Sequence, residues 1–480
     1  MPLNEFKGLK VSVIGAARSG TAAAKVLVKL GAIVLLSDRA PREKLTEQQL
    51  REAMESGAEA VFDAGPEQAL PEGTQLVVVS PGVPKDSPVL RTAVERGIRI
   101  WGEIEFAYGI SSKEFMAVTG TNGKTTTTLL LADMLCEGGK LAVPCGNVSA
   151  DDVKKTLTEA AALSLKPEYA EETGEHPTGR TPIPVAEISS FQLEWTDKFA
   201  PHVAILTNIT PDHLNRHKNF TEYAETKLKL FARQTRKDWT VLNWDDAEAR
   251  KFGANSPPGR LIWFSTQASP TAEKRLWVRK GFLTARLNPQ KNPTLIMPVT
   301  DIPDTLPGEH NVSNILAAAS AAMAIGVSPM AIARAVRNFK GVPHRMEIIG
   351  EFRGVQYINN SMCTNVVAAV CSLEAMKRPT IVICGGADKD FDFSPLVPVM
   401  KTNAKHAILI GSAAEKLEAA LRAGGYENVS HAGTLEKAVA VAKALATQGD
   451  AILLSPACAS FDMFRDFEHR GQVFRNAVKE

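Results

Sequence analysis

The stretch Gly120-Thr121-Asn122-Gly123-Lys124-Thr125-Thr126 places two glycines, a lysine and several hydroxyls in the order that wraps a polyphosphate. Backbone N–H groups of such a turn point at phosphate oxygens, the Lys124 ammonium neutralises terminal phosphate charge, and the Thr125 hydroxyl can reach Mg2+. Val118 stands where the common form of this loop has its first glycine, so the turn is a shortened one; ATP is the ligand its composition predicts. A second glycine turn comes earlier, at Gly15-Ala16-Ala17-Arg18-Ser19-Gly20, with Asp38 closing the strand that follows. In outline it is the dinucleotide-binding turn, in which a diphosphate meets a helix N-terminus and a later acid meets a ribose hydroxyl. Ala17 replaces the middle glycine, so the turn predicts a diphosphate of some kind and is weak support for NAD. Ser80-Pro81-Gly82-Val83-Pro84 ends another strand and can face the same crevice.

Elements must hold these turns in place. Short runs rich in Val and Ile recur between helical patterns: residues 10–15, 33–37, 75–80, 116–119, 203–208, 380–384 and 451–455. Strands alternating with helices predict an α/β protein whose mostly parallel sheets are covered by helices on both faces. Each glycine turn follows a strand and opens a helix, so a new sheet is expected near residue 112. Another is expected near 342, where Gly341-Val342-Pro343 follows the helical stretch 329–338 and a fresh strand starts at Val355. The expected domains are therefore residues 1–112, 113–341 and 342–480. Residues 159–184 are polar, rich in Pro and Gly and without periodicity, which reads as an exposed insertion.

Composition narrows the class. At 480 residues the chain is long enough for several cores, and 44% hydrophobic with 22% charged residues is the balance of a folded globular protein. A formal net charge of +2 gives no sustained basic surface for nucleic acid. The six cysteines form no CxxC pair and no Cys/His cluster for zinc, so they read as free thiols of a reducing compartment. No secretion signal and no membrane span is apparent in the sequence, which predicts a cytoplasmic protein.

The shortened phosphate loop is similar to that of the Mur ligases, a family that includes folylpolyglutamate synthase. Four more stretches resemble that family: Glu187-Ile188-Ser189-Ser190-Phe191-Gln192-Leu193-Glu194; Gly308-Glu309-His310-Asn311 with Asn314; Gly341-Val342-Pro343-His344-Arg345; and Ser455-Pro456-Ala457-Cys458-Ala459-Ser460 with Phe467. The resemblance runs from residue 10 to the C-terminus, apart from the polar insertion. It implies an N-terminal Rossmann-like domain for UDP-sugar, a central P-loop ATPase-type domain, and a C-terminal Rossmann-like domain for the incoming amino acid. Among the family's activities it implies the addition of D-glutamate to UDP-N-acetylmuramoyl-L-alanine by a monomeric, cell-wall-building enzyme, with ATP and Mg2+. ATP would phosphorylate the substrate carboxylate, and the amine would then attack the acyl phosphate.

The resemblance also implies roles. Lys124 would neutralise phosphate charge; Thr125, Glu187, His213 and a carbamylated Lys227 would hold Mg2+. Read alone, Lys227 is a helix-surface lysine and His213 a surface histidine. Asn311, Asn314 and Arg345 would join Gly120 to Thr126 on the nucleotide. Ala17, Arg18, Ser19, Asp38, Arg39, Ser80, Gly82, Asn147 and Gln192 would surround the UDP-sugar, and Thr364, Lys389, Ser460 and Phe467 the glutamate. One departure stands out: the family's Asp-Ser-Lys-Ala-Thr-Asn is Asn360-Ser361-Met362-Cys363-Thr364-Asn365 here, without its acid and its base. That leaves as alternatives a sister ligase adding L-Glu or a basic amino acid, or a nucleotide-binding homologue with impaired catalysis. An NAD-dependent oxidoreductase is disfavoured by the phosphate loop, and a folate-type ligase by the extra domain at residues 1–110.

Overall fold

Three stretches of alternating strand and helix build three sheets. The computed structural model describes residues 3–111, 114–148, 155–165, 181–213, 216–267, 271–388 and 390–480. The first sheet is five-stranded and parallel: β1 (Lys10–Ile14), β2 (Ile33–Ser37), β3 (Glu59–Val61), β4 (Leu76–Val79) and β5 (Arg99–Gly102) lie in the order β3-β2-β1-β4-β5. All four residues of β4 are buried, the pattern of a strand covered on both faces. The strand order reverses between β1 and β4, so the loops that follow these two strands open a crevice. They are the Gly15 turn and the Ser80–Pro84 loop.

The second sheet has nine strands: β6 (Met116–Thr119), β7 (Ala142–Gly146), β8 (Ile183–Glu187), β9 (Val203–Leu206), β10 (Trp239–Asn243), β11 (Arg260–Ser265), β12 (Arg275–Arg279), β13 (Phe282–Arg286) and β14 (Thr294–Pro298). Their order is β14-β13-β12-β11-β10-β9-β6-β8-β7, parallel from β7 through β12 and antiparallel across the last two. The phosphate loop leaves β6, between β8 and β9, again at a reversal of strand order. The third sheet holds β15 (Glu347–Phe352), β16 (Val355–Asn359), β17 (Thr380–Gly385), β18 (Ala404–Ile410), β19 (Val429–His431) and β20 (Ala451–Leu454) in the order β15-β16-β20-β17-β18-β19. Only the edge strand β15 runs antiparallel to its neighbour. Two apolar clusters cover its faces, one around Leu373, Cys384 and Leu453, the other around Ile383, Leu454 and Phe474.

By compactness the chain forms two units, Met1–Pro298 with Asn314–Ala335, and Val299–Ser313 with Val336–Glu480. Among the described residues no helix is long and apolar enough to cross a membrane.

All seven expected strands are present, with ends that match or differ by one or two residues, and the helix Pro329–Asn338 and the strand starting at Val355 stand as expected. The insertion needs correction at both ends. Glu159 lies in a helix, Leu157–Ala162, started by a capping box in which Thr156 and Glu159 satisfy each other's backbone N–H groups. Ala160 and Ala161 of that helix are buried in the core shared with the first sheet, and Ile183 and Pro184 already belong to β8. Polar composition hid a helix too short to show a period. Residues 166–180 lie outside the described residues.

That short helix also meets a buried acid. Glu103, at the start of the helix Glu103–Ile110, is 2% exposed, and its Oε1 accepts hydrogen bonds from the Thr158 N–H and hydroxyl at 2.7 and 2.8 Å. Among the described residues its Oε2 has no partner, and burial pushes the acid up to about 7 against the opposing pull of Thr158. The folded chain therefore binds a proton that the unfolded chain has already released above its ordinary value of 4.5. This stabilisation is complete below the unfolded value and is lost as pH rises through about 7. Glu103→Gln is expected to gain on the wild type between pH 5 and pH 8, by up to about 3 kcal/mol. Urea denaturation of both proteins at the two pH values measures it; parallel pH dependences would contradict a buried protonated acid.

Candidate active site

The phosphate loop is shaped by two positions that tolerate no side chain. At Gly120, φ is +148°, and a Cβ would stand 1.9 Å from Thr207 Oγ1; at Gly123, φ is +84°, and a Cβ would stand 2.2 Å from Asn314 Oδ1. The strand end after β9 braces the loop. Asn208 Oδ1 accepts the Asn122 N–H at 2.9 Å, while Asn208 Nδ2 and Thr207 Oγ1 both donate to the Asn122 carbonyl, at 3.0 and 2.7 Å. Lys124 opens the helix Lys124–Glu137, and its Nζ folds back to donate to the Thr121 carbonyl at 2.8 Å.

Thr125 and Glu187 meet directly, Thr125 Oγ1 donating to Glu187 Oε2 at 2.6 Å. Both are buried, Glu187 at the C-terminal end of β8, and Asn147 Nδ2 donates to its other oxygen at 3.3 Å. A hydroxyl and a carboxylate in contact at a phosphate loop are the hard oxygen donors that Mg2+ takes. Among the described residues no group of three or more His, Cys, Asp or Glu forms a metal cage.

Lys227 is not a surface lysine. It is 2% exposed, its Nζ donates to the Gly120 carbonyl at 2.8 Å, and it lies 4.6 Å above the centre of the Tyr223 ring. The helix Phe220–Leu228 carries both residues, and the Tyr223 hydroxyl is 3.1 Å from Thr121 Oγ1. Burial, followed by the nearby Lys124 cation, holds the Lys227 amine well below its ordinary range, with Asp212 and Glu187 pulling the other way. His213 is partly exposed in the left-handed region at φ 54°, with its ring edge-on to Phe191 at 4.9 Å between centroids.

Around the first crevice, Asp38 Oδ2 accepts the Ala16 N–H at 2.8 Å and Oδ1 the Ala40 N–H, so the acid shapes the glycine turn. Ala17 caps the helix that Arg18 and Ser19 begin, and Arg39 follows on the exposed side. Ser80 Oγ donates to the Gly15 carbonyl at 3.0 Å, close to Gly82 in the same loop. Gln192 is buried on the second sheet's loop and accepts from the Ser189 N–H and hydroxyl.

In the unit built on the third sheet, the loops after β16 and β20 carry Thr364 and Ser460, and the helix Phe467–Lys479 begins at Phe467, whose carbonyl accepts from Ser361 Oγ at 2.7 Å. Arg470 is fully buried and joins these loops through the carbonyls of Ser361, Cys458 and Ala459. Asn311 Nδ2 donates to the Pro307 carbonyl. Lys389 lies outside the described residues.

The departure at 360–362 has a local account. Asn360 is buried, accepting the Met346 N–H at 3.1 Å and donating to Ser372 Oγ at 2.7 Å, a donation that a carboxylate could not make. Met362 Sδ lies 3.8 Å from Arg345 Nη1. A lysine at 362 would bring a second cation against that guanidinium. Met362→Lys is therefore expected to lower the melting temperature, a loss of about 1 kcal/mol that added salt reduces, while Met362→Leu keeps it. A thermal melt of Met362→Lys that is unchanged at low salt would show instead that the two cations do not meet.

Sequence reasoning missed Asn208, Thr207, Tyr223 and Arg470. Asn208 ends the strand run 203–208, and Tyr223 lies four residues before Lys227; Arg470 gave no signal, because a fully buried arginine looks like any other in a helix.

This fold and site define a class. Residues 118–322 match the Mur ligase middle domain and residues 344–458 the Mur ligase, glutamate ligase domain, and the chain belongs to the Mur ligase family of ATP-dependent ligases. Over 478 residues it is 40% identical to the UDP-N-acetylmuramoylalanine--D-glutamate ligase of Pelotomaculum thermopropionicum, covering 99% of this chain and 98% of that protein. It is 39% identical to the enzyme of the same name from Thermoanaerobacter pseudethanolicus, covering 99% of each. Among solved structures, the UDP-N-acetylmuramate-alanine ligase of Thermotoga maritima superposes with a TM-score of 0.61 at 18% identity, covering 98% of this chain and 99% of that one. A pseudomurein peptide ligase from Methanothermus fervidus gives 0.56 at 20% identity, with the same coverage. These two establish the fold.

Proposed function

We propose that this ligase adds D-glutamate to UDP-N-acetylmuramoyl-L-alanine in the cytoplasm, as a monomer, during the building of peptidoglycan precursors. The observation that carries the reading is the convergence of Thr125, Glu187 and buried Lys227 on one phosphate loop, in a chain that matches enzymes of that name from end to end. Residues 1–112, 113–341 and 342–480 would serve as the UDP-sugar, ATP and amino-acid domains.

A carboxylate is a poor electrophile, so activation by phosphoryl transfer comes first, and phosphoryl transfer needs positioning and charge neutralisation more than covalent help. Backbone N–H groups of Gly120 to Thr126 cradle the phosphates, Lys124 leaves the Thr121 carbonyl to meet the transferring group, and Thr125 and Glu187 are the metal-holding pair. Bound Mg2+ would offset the charge that accumulates on the phosphate oxygens. The neutral amine favoured at Lys227 is the form that can attack CO2, and the resulting carbamate would join His213 on the metal side. Asn314, beside Gly123, would touch the nucleotide, as would Asn311 and Arg345. Thr364, Lys389, Ser460 and Phe467 would receive the amino acid, its carboxylates matched by a lysine and hydroxyls. The amine of that amino acid then displaces phosphate from the acyl phosphate to form the amide.

The test is phosphate release with UDP-N-acetylmuramoyl-L-alanine, ATP and Mg2+, offering D-Glu, L-Glu and D-Lys separately. Turnover with D-Glu alone is expected. Preference for L-Glu or D-Lys would reassign the protein to a sister activity, and ATP binding without turnover to an impaired homologue.

A further inference from the structure

Arg216 belongs to no motif of the reading above, yet its Nε and both N–H groups of Nη2 are engaged. Nε and Nη2 make a two-pronged ion pair with Glu194, at 3.2 and 2.8 Å, and both side chains are largely buried, 19% and 9% exposed. Nη2 also donates to the Val83 carbonyl at 3.0 Å, and the guanidinium carbon lies 5.0 Å from the centre of the Phe191 ring. A lysine could not do this, because only the planar fork reaches an acid and a carbonyl together while stacking on a ring.

The groups it joins belong to different sheets. Val83 closes a tight turn, its N–H donating to the Ser80 carbonyl at 3.1 Å, and Ser80 Oγ holds the Gly15 carbonyl at 3.0 Å. A Cβ on Gly20 would stand 1.9 Å from the Gly15 carbonyl oxygen and 2.7 Å from Ser80 Oγ, so these two loops are in register to a fraction of an ångström. On the other side, Glu194 closes the turn Phe191–Leu193 that follows Glu187 and the buried Ser190, and the His213 carbonyl accepts the Arg216 N–H at 3.0 Å. An unbroken series of contacts thus runs from the Gly15 turn through Ser80, Val83 and Arg216 to the segment bearing Glu187 and to His213.

We infer that Arg216 is a positioning residue that fixes the Ser80–Val83 turn, and with it the UDP-sugar crevice, against the metal-bearing edge of the second sheet. The part concerning UDP-sugar rests on the proposed function; the latch itself does not. Without the fork, the Ser80–Val83 turn keeps its own hydrogen bond but loses its anchor, so binding at the crevice weakens while the phosphate loop, braced by Asn208 and Thr207, stays as it is.

Arg216→Lys, Arg216→Met and Glu194→Gln are compared with wild type in two measurements. Hydrogen exchange of the peptides spanning residues 76–91 and 14–24 is expected to quicken about tenfold in both Arg216 variants and less in Glu194→Gln, with the peptide spanning 116–128 unchanged. Calorimetric titration with UDP should show a dissociation constant raised about tenfold in the Arg216 variants, with the Michaelis constant for ATP unmoved. Unchanged exchange at 76–91 in a folded Arg216→Lys protein overturns the latch, as does exchange that quickens equally at 116–128, the sign of general loosening. If wild type fails to bind UDP, the sugar-nucleotide assignment falls, and the exchange result still decides the latch.

Discussion

Lys124→Ala is expected to lower turnover by about a thousandfold or more while leaving the fold intact and melting no earlier than wild type, because the lost charge is needed at the transferring phosphoryl group. The ammonium is partly exposed and is held by a carbonyl of its own loop at 2.8 Å, with no place in an apolar cluster, so its removal opens no cavity. The loop's shape depends on Gly120, Gly123, Asn208 and Thr207, which remain. A single well-placed donor at a developing charge is worth ~100- to 1,000-fold, and a full positive charge at a transferring phosphoryl group ~1,000- to 100,000-fold. Phosphate release, read beside a thermal melt, measures it. A folded Lys124→Ala protein forming amide at a near-normal rate would defeat the assignment of ATP to this loop. The change has a second effect: Lys124 is the nearby cation that adds to burial in depressing the Lys227 amine, so its loss should let that amine rise toward its usual range.

Lys227 also shows where sequence reasoning stops. The strands β4, β9, β17 and β20 were legible because strands buried on both faces are apolar runs rich in Val, Ile and Leu, and the two glycine turns were legible because their φ values or close approaches exclude other residues. The proposed metal and nucleotide residues were nameable only by family resemblance, since one acid, one histidine and one lysine scattered over forty residues carry no spacing signal. What positions them was not legible at all. Lys227 reaches the Gly120 carbonyl, Asn208 splints the loop, and Arg216 crosses between sheets; each acts on a neighbour far away in the chain, and single-sequence periodicity reports only neighbours within a turn or two. The antiparallel β13 and β14 and the edge strand β15 were missed for a different reason. Their partial exposure goes with mixed sequences such as Phe-Leu-Thr-Ala-Arg, without the continuous apolar run that marks the central strands.

Replacing Lys227 is expected to abolish turnover and, at neutral pH, to leave the protein at least as stable as wild type. The two halves of this expectation come from one fact, a lysine that is 2% exposed and held well below its ordinary range by burial and by Lys124. An amine whose folded value is depressed binds fewer protons in the folded chain than in the unfolded one, so it detracts from stability below the unfolded value of about 10.5 and detracts less as pH rises toward it. Lys227→Met keeps the length of the stem, removes the ionisable group, and in bicarbonate-free buffer should melt no earlier than wild type at pH 7, its advantage shrinking toward pH 10. The same depression favours the neutral amine, the nucleophile that carbamylation by CO2 requires. A carbamate at Nζ would turn a cation that repels Mg2+ into a carboxylate that binds it, beside Thr125 and Glu187 at the phosphate loop. Both Lys227→Met and Lys227→Ala should therefore lose turnover by about a hundredfold or more, the size of effect that follows the loss of a group stabilising transition-state charge. Only the Ala variant leaves a space, next to Tyr223 and the Gly120 carbonyl, that a short carboxylic acid can fill. Acetate or formate should restore part of the activity of Lys227→Ala and none of that of Lys227→Met. Full activity in Lys227→Ala without any added acid would remove Lys227 from the metal site. Loss of activity that no acid rescues in Lys227→Ala, accompanied by a lower melting temperature than wild type at pH 7, would mean that the lysine supports the loop through its bond to Gly120 and not through a carbamate.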